Sequence, residues 1–89
     1  MTKFEHLECD LNVAAFLVVR GFRLLGVEPA GGKRLSFRFE DDQGNARAAA
    51  LEYFSGATVS ARDFAAAEKN LKTVIYSARN GNGKQYRNR

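Results

Sequence analysis

The sequence predicts an α+β fold in the order helix, β-hairpin, helix, helix, with the hairpin packed on a small helical core. Three observations lead to this fold class: an apolar segment between helix-capping residues, an alternating strand pattern beside a Gly-rich turn, and a long C-terminal segment with apolar residues at helical spacing. A chain of 89 residues can form one domain with one modest core, and we expect that domain over residues 1–79. Residues 80–89 have no apolar periodicity and are predicted to form a flexible basic tail.

The first helix is predicted over residues 11–20. Asp10 precedes it, and an aspartate carboxylate can accept hydrogen bonds from the free backbone N–H groups of a first helical turn. Gly21 follows it and suits the left-handed residue that often ends a helix. Because this helix is apolar nearly all round, we expect it either at the centre of the core or partly covered by a second subunit. The second alternative predicts a symmetric homodimer.

The segments on either side of residues 29–33 predict a β-hairpin. The second segment alternates polar residues with the apolar residues Leu35, Phe37 and Phe39. The Gly-rich segment with its single proline predicts a five-residue loop, which places Glu28 opposite Arg34. A two-stranded ribbon is marginal alone, so the hairpin must lie against the helices. A short additional strand is predicted from residues 3–9.

Two further helices are predicted after the hairpin. The second helix, about residues 43–55, has acidic residues at its start, alanines within it, and Leu51 and Phe54 as its anchors in the core. The third helix begins after Ser60, which forms a variant of the capping box with Asp63. Its apolar positions recur at helical spacing and are Phe64, Ala67, Leu71, Ile75 and Ala78.

The location of the protein is predicted from what the composition excludes. No run of about 18 apolar residues occurs, so we expect no membrane span and no membrane partner. The first ten residues lack the apolar core of a signal peptide, so we expect a cytoplasmic protein. The single cysteine, Cys9, fits a reducing compartment because it cannot form a disulfide within the chain.

The residues that could carry catalysis or bind a metal are few and scattered. His6 and Cys9 are the only residues of their types, whereas a metal site needs three or four clustered ligands and a Cys–His pair needs a third group to orient it. The acidic run at residues 40–42 precedes a predicted helix, where negative charge is favourable in itself. We therefore predict that the protein is not an enzyme and has no cofactor.

Charge is divided unequally along the chain. Residues 1–68 hold eight Lys/Arg and ten Asp/Glu, a net charge of 8 − 10 = −2, whereas residues 69–89 hold six basic residues and no acidic one. Basic side chains neutralise phosphates, and a tyrosine among them can stack on an unpaired base. The candidate nucleic-acid-binding residues are Lys69, Lys72, Tyr76, Arg79, Lys84, Arg87 and Arg89. The alternative is a solvated helix end, because the helix dipole also favours cations there.

A sequence-specific mode of DNA binding is less well supported. The second and third helices are joined by a short Gly-containing link and resemble a helix–turn–helix in the loose sense. The link is longer than the usual tight turn, and Asp63 in the first turn of the third helix would repel phosphate. Binding to nucleic acid is therefore expected to be non-specific.

Four segments carry a family resemblance over roughly residues 8–78: "DLNVAAFLVVRGFRLLGVE", "RLSFRFED", "EYFSGATVSARDF" and "LKTVIY". Together they resemble a family of small uncharacterised domains in bacteria and their phages. The resemblance implies a fold and no mechanism, because that family has no known function and none of the segments is of a catalytic type. Residues from Asn80 onward fall outside the pattern.

We predict from these observations a small non-enzymatic accessory domain related to phages or mobile elements. It would bind nucleic acid weakly and non-specifically through the third helix and the tail. The alternative function is a protein–protein interaction module, which could be homodimeric and would have no role with nucleic acid.

Overall fold

The computed structural model describes residues 4–32 and 34–80. Within them the chain forms three strands and three helices in the order β1 (Glu5–Glu8), α1 (Leu11–Val19), β2 (Leu24–Pro29), β3 (Leu35–Glu40), α2 (Ala46–Phe54) and α3 (Ala61–Asn80). β3 lies between β1 and β2 and is antiparallel to both. The predicted α+β class is confirmed, and so is the additional strand near the N-terminus.

One face of the sheet carries the core, and α1 lies at its centre. Phe37 and Phe39 of β3 are 2% and 0% exposed, and all residues from Val13 to Leu17 are buried. α1 packs against both α3 and α2. The predicted packing of the hairpin on the helical core is confirmed, because these two phenylalanines share one buried cluster with Leu71, and Ile75 packs against that cluster. Of the two alternatives for the apolar α1, the central position in the core is the correct one.

The hairpin turn lies one residue later than the sequence predicts, because β2 ends at Pro29 and β3 begins at Leu35. Two consecutive glycines take positive φ angles, 104° at Gly31 and 59° at Gly32, and allow the chain to reverse there. The Ala30 N–H donates to the Arg34 carbonyl at 3.0 Å, and Glu28 pairs with Ser36. The predicted pairing of Glu28 with Arg34 is therefore wrong by two residues. Because side chains alternate with a period of two, this shift leaves the same residues on the core face.

α2 departs most from the prediction. Its predicted anchors, Leu51 and Phe54, are 60% and 69% exposed, so this prediction is wrong. The buried residues of α2 are Ala46, Ala49 and Ala50. These small side chains allow α2 to approach α1 closely, and the Tyr53 ring then packs edge-on against Phe16 with the ring centroids 5.8 Å apart. Leu51 and Phe54 consequently lie on the outer side of the helix.

α2 also begins three residues later than predicted, at Ala46, and an aspartate from the preceding turn caps it. The Asp41 carboxylate oxygen Oδ1 accepts hydrogen bonds from the Asn45 and Ala46 N–H groups at 2.8 and 3.0 Å. The Asn45 side chain, at the formal N-cap position, makes no capping hydrogen bond. The acidic run at residues 40–42 therefore contributes a helix cap, in line with the structural explanation predicted for it.

Asp41→Ala is expected to lower the free energy of unfolding by about 0.5–2 kcal/mol, because two N–H groups at the start of α2 lose their acceptor. Asn45→Ala is the matched control and should change this free energy by less than about 0.5 kcal/mol. Urea denaturation of the two variants measures both changes. A larger loss for Asn45→Ala than for Asp41→Ala would contradict the capping role of Asp41.

α3 begins where the sequence predicts. The Ser60 hydroxyl accepts a hydrogen bond from the Asp63 N–H at 3.2 Å, and the helix follows directly. It runs for 20 residues to Asn80, which is the one residue of the predicted tail, 80–89, that the structure describes. Residues 81–89 lie outside the described residues. No helix in the described part of the chain is long and apolar enough to cross a membrane.

Candidate nucleic-acid interface

α3 presents a row of basic residues and one tyrosine on its exposed side. Lys69, Lys72, Tyr76 and Arg79 follow one another at intervals of three, four and three residues. At about 100° per residue, these intervals keep the four side chains within a sector of about 80°. All four residues are exposed, and Leu71 on the opposite side of the helix is buried. We call these four residues the α3 stripe.

A shallow depression of about 400 Å³ lies on the α3 stripe. It is lined by Lys72, Ile75, Tyr76 and Arg79. Two cations therefore lie beside an aromatic ring that is 71% exposed and an aliphatic side chain. An unpaired nucleotide needs a cation for its phosphate and a flat apolar surface for its base, and this depression offers both.

A second depression, of about 590 Å³, lies between the end of α3 and the hairpin turn. It shares Arg79 with the first depression and adds a second arginine, Arg34, which precedes β3. The other lining residues are Val27, Glu28, Pro29, Gly32, Leu35 and Ala78. Arg34 was not a predicted site residue, because sequence spacing does not reveal that the hairpin turn lies beside the end of α3.

Positive and negative charges lie towards opposite ends of β3. Arg34 precedes this strand and lies beside Arg79, whereas Glu40 ends it and is followed by Asp41 and Asp42. These three acidic residues help to line a separate depression of about 190 Å³. In the sheet, Glu40 lies directly opposite Glu5 of β1. Each depression also contains one charge of the other sign, Glu28 with the two arginines and Arg23 with the three acidic residues, and Arg23 Nη1 is 3.9 Å from Glu40 Oε1. The surplus of charge is positive near Arg34 and negative near Glu40, which favours an approach to phosphate with the Arg34 end first.

The remaining predicted candidates do not join the α3 stripe within the described residues. Lys84, Arg87 and Arg89 lie outside them. The His6 Nε2 atom is 3.2 Å from Glu8 Oε1, and the Cys9 Sγ atom is 3.5 Å from Ser36 Oγ. No group of three or more His, Cys, Asp or Glu residues in the described part of the chain is placed to hold a metal ion.

The fold and this surface define a small α+β domain with a basic, aromatic helix beside a hairpin turn. The family model of a domain of unknown function, DUF5659, matches residues 5–77, and the chain belongs to this family. The predicted resemblance to a family of uncharacterised small domains is thereby confirmed. The matched region includes Lys69, Lys72 and Tyr76 and ends before Arg79. Comparisons with curated proteins and with solved structures give no match.

Proposed function

We propose that the chain is a non-enzymatic accessory domain that binds nucleic acid weakly and without sequence preference, through the α3 stripe and residues 81–89. The observation that carries this proposal is the depression in which Lys72 and Arg79 line the same surface as Tyr76. The cations would contact phosphates, and the exposed ring would stack on an unpaired base. Both contacts are possible with any base, so no sequence preference is expected.

The cellular setting is part of the same proposal. The resemblance of the chain to domains from bacteria and their phages supports a role with phages or mobile elements. The single cysteine, Cys9, is exposed and free, which fits the reducing cytoplasm. Weak binding suits an accessory role, because few phosphate contacts are available along one side of a single helix.

Tyr76→Ala is expected to weaken binding of a single-stranded oligonucleotide by about 1–3 kcal/mol, the usual contribution of one base stacked on an aromatic ring. The loss on a duplex of the same sequence should be smaller, because paired bases do not expose their faces. Tyr76→Phe keeps the ring and is the matched control. Fluorescence anisotropy with labelled oligonucleotides measures all three proteins. Equal losses on single strands and duplex, or an equal loss in Tyr76→Phe, would exclude stacking.

A protein-interaction module is the second candidate function, and the outer side of α2 favours it. Leu51 and Phe54 are three residues apart on this helix and are 60% and 69% exposed. Neighbouring apolar side chains at this spacing can enter a groove on another protein. α1 does not provide such a surface, because its apolar side chains are buried or half-buried. If the unmodified chain binds no oligonucleotide at low salt, this second candidate becomes the better one.

A further inference from the structure

Among the residues that the structure describes, β1 is an edge strand that pairs with β3 on one side and with no strand on the other. The Asp41 N–H donates to the Phe4 carbonyl at 2.9 Å, so Phe4 is a residue that directs its backbone groups towards β3. In an antiparallel pair such residues alternate, which assigns the same orientation to His6 and Glu8. Glu5 and Leu7 therefore direct their N–H and C=O groups away from β3.

The opposite edge of the sheet, β2, is protected against the addition of another strand. Pro29 has no N–H group, and the pairing of β2 with β3 is irregular between Leu24 and Gly26. Prolines and bulges are both means by which edge strands avoid further pairing. β1 has a continuous register with β3 from Glu5 to Glu8 and contains no proline. Of the two edges, β1 is therefore the one suited to accept a strand.

The side chains on and beside β1 also indicate a covered surface. Phe4 and Leu7 are 64% and 53% exposed, and both are large apolar residues. An open strand edge with exposed apolar side chains is a site for pairing with another chain.

We propose that β1 pairs antiparallel with β1 of a second copy of this chain, about a twofold axis at Leu7, to form one sheet of six strands. In this register Leu7 lies opposite Leu7 of the partner subunit, which forms an apolar pair. His6 lies opposite Glu8 of the partner subunit, and the twofold axis repeats this contact. Within one chain His6 Nε2 already lies 3.2 Å from Glu8 Oε1. Across the axis the same two residue types lie opposite each other, and an imidazole can donate to either carboxylate, so the two strands are complementary in both directions.

The other three registers centred on a residue of β1 lack this complementarity, and an axis at Glu8 places Glu8 opposite Glu8 of the partner subunit, which are two like charges. An axis at Glu5 places Glu5 opposite Glu5 of the partner subunit, and like charges directly opposite each other are destabilising. An axis at His6 places the apolar Leu7 opposite Glu5 of the partner subunit. The axis at Leu7 is therefore favoured by the chemistry of the strand itself. The proposal does not depend on nucleic-acid binding, because β1 and β2 lie on opposite sides of β3 and α3 packs near β2.

Sedimentation velocity at high micromolar concentration tests the proposal. The unmodified chain is expected to sediment as a dimer. Leu7→Lys should weaken the dimer by about tenfold or more in Kd, because two lysines then face each other across the axis. Leu51→Lys makes the same change at an exposed leucine of α2 and should leave the dimer intact. A monomeric unmodified chain, or a dimer lost in Leu51→Lys and retained in Leu7→Lys, would overturn the proposal.

A disulfide tests the register. With the axis at Leu7, residue 5 lies opposite Cys9 of the partner subunit, so Glu5→Cys should give a reducible dimer linked by two disulfides. Positions 5 and 9 of one strand are about 13 Å apart, too far for a disulfide within one chain. The control, Glu5→Cys with Cys9→Ser, should give no cross-link under the same oxidation. A cross-linked dimer in the control, or none in Glu5→Cys, would overturn this register.

Discussion

Leu71→Ala is expected to lower the free energy of unfolding by about 2–5 kcal/mol, as for other fully buried leucines. Leu71 is 2% exposed and belongs to the same buried cluster as Leu17 and Phe37. Its truncation leaves a cavity between α3, α1 and the sheet. The surrounding elements can close such a cavity only in part, which adds to the loss of apolar burial.

Leu51→Ala is the matched control, since it makes the same chemical change in the middle of α2. Leu51 is 60% exposed, so the free energy of unfolding should change by less than about 0.5 kcal/mol. Urea denaturation followed by circular dichroism measures both variants. Equal losses of stability in the two variants would contradict the finding that Leu71 is buried and Leu51 is exposed.

Replacing both Lys72 and Arg79 by glutamine is expected to give the largest loss of function. On single strands, each phosphate contact contributes about 0.7 to the steepness of the plot of log Kobs against log salt concentration. The loss of two contacts should therefore make this slope less steep by about 1.4. The affinity at low salt should fall by about 10- to 100-fold. The depression on the α3 stripe would retain Ile75 and Tyr76 but no cation, so stacking and the remaining basic residues outside the depression would account for the residual binding.

The control for this double variant removes the same charge elsewhere. Arg23 and Arg47 are exposed, lie before β2 and on α2, and line neither of the two depressions that contain Arg79. Their replacement by glutamine gives the same net charge, +4 − 2 = +2, as the test variant. Equal weakening by both double variants would show that only the overall charge matters and would contradict a localised interface.

The order of helices and strands could be predicted because its signals are local. The Asp10 carboxylate accepts hydrogen bonds from the Asn12 and Val13 N–H groups at 2.8 and 3.2 Å, and Ser60 caps α3 in a similar way. Each contact joins residues within three positions of one another. The sequence therefore contains the information for these helix starts directly.

The buried side of α2 could not be predicted, because two sides of this helix are compatible with burial. Leu51 and Phe54 offer more apolar area, which favours them as core residues by themselves. Ala46 and Ala50 offer a closer approach of the helix to α1, and the structure uses this side. Only the shape of the rest of the core decides between the two. The hairpin register depends in the same way on the turn at the two glycines.

The candidate interface was predictable where it depends on one helix and not where it depends on two elements. The spacing of the α3 stripe follows from helical geometry alone. The contribution of Arg34 requires the hairpin turn to lie beside Arg79, and the open edge of β1 requires the strand order β1-β3-β2. These are properties of the tertiary structure.

Titration of a labelled single-stranded oligonucleotide over a range of salt concentrations tests the proposed function most directly. Three or four phosphate contacts predict that log Kobs falls linearly with log salt concentration, with a slope of about −2 to −3. A chain without residues 81–89 loses Lys84, Arg87 and Arg89 and should give a slope closer to zero with unchanged thermal unfolding. Absence of detectable binding by the full chain at low salt would contradict nucleic-acid binding and leave its basic end a solvated helix terminus.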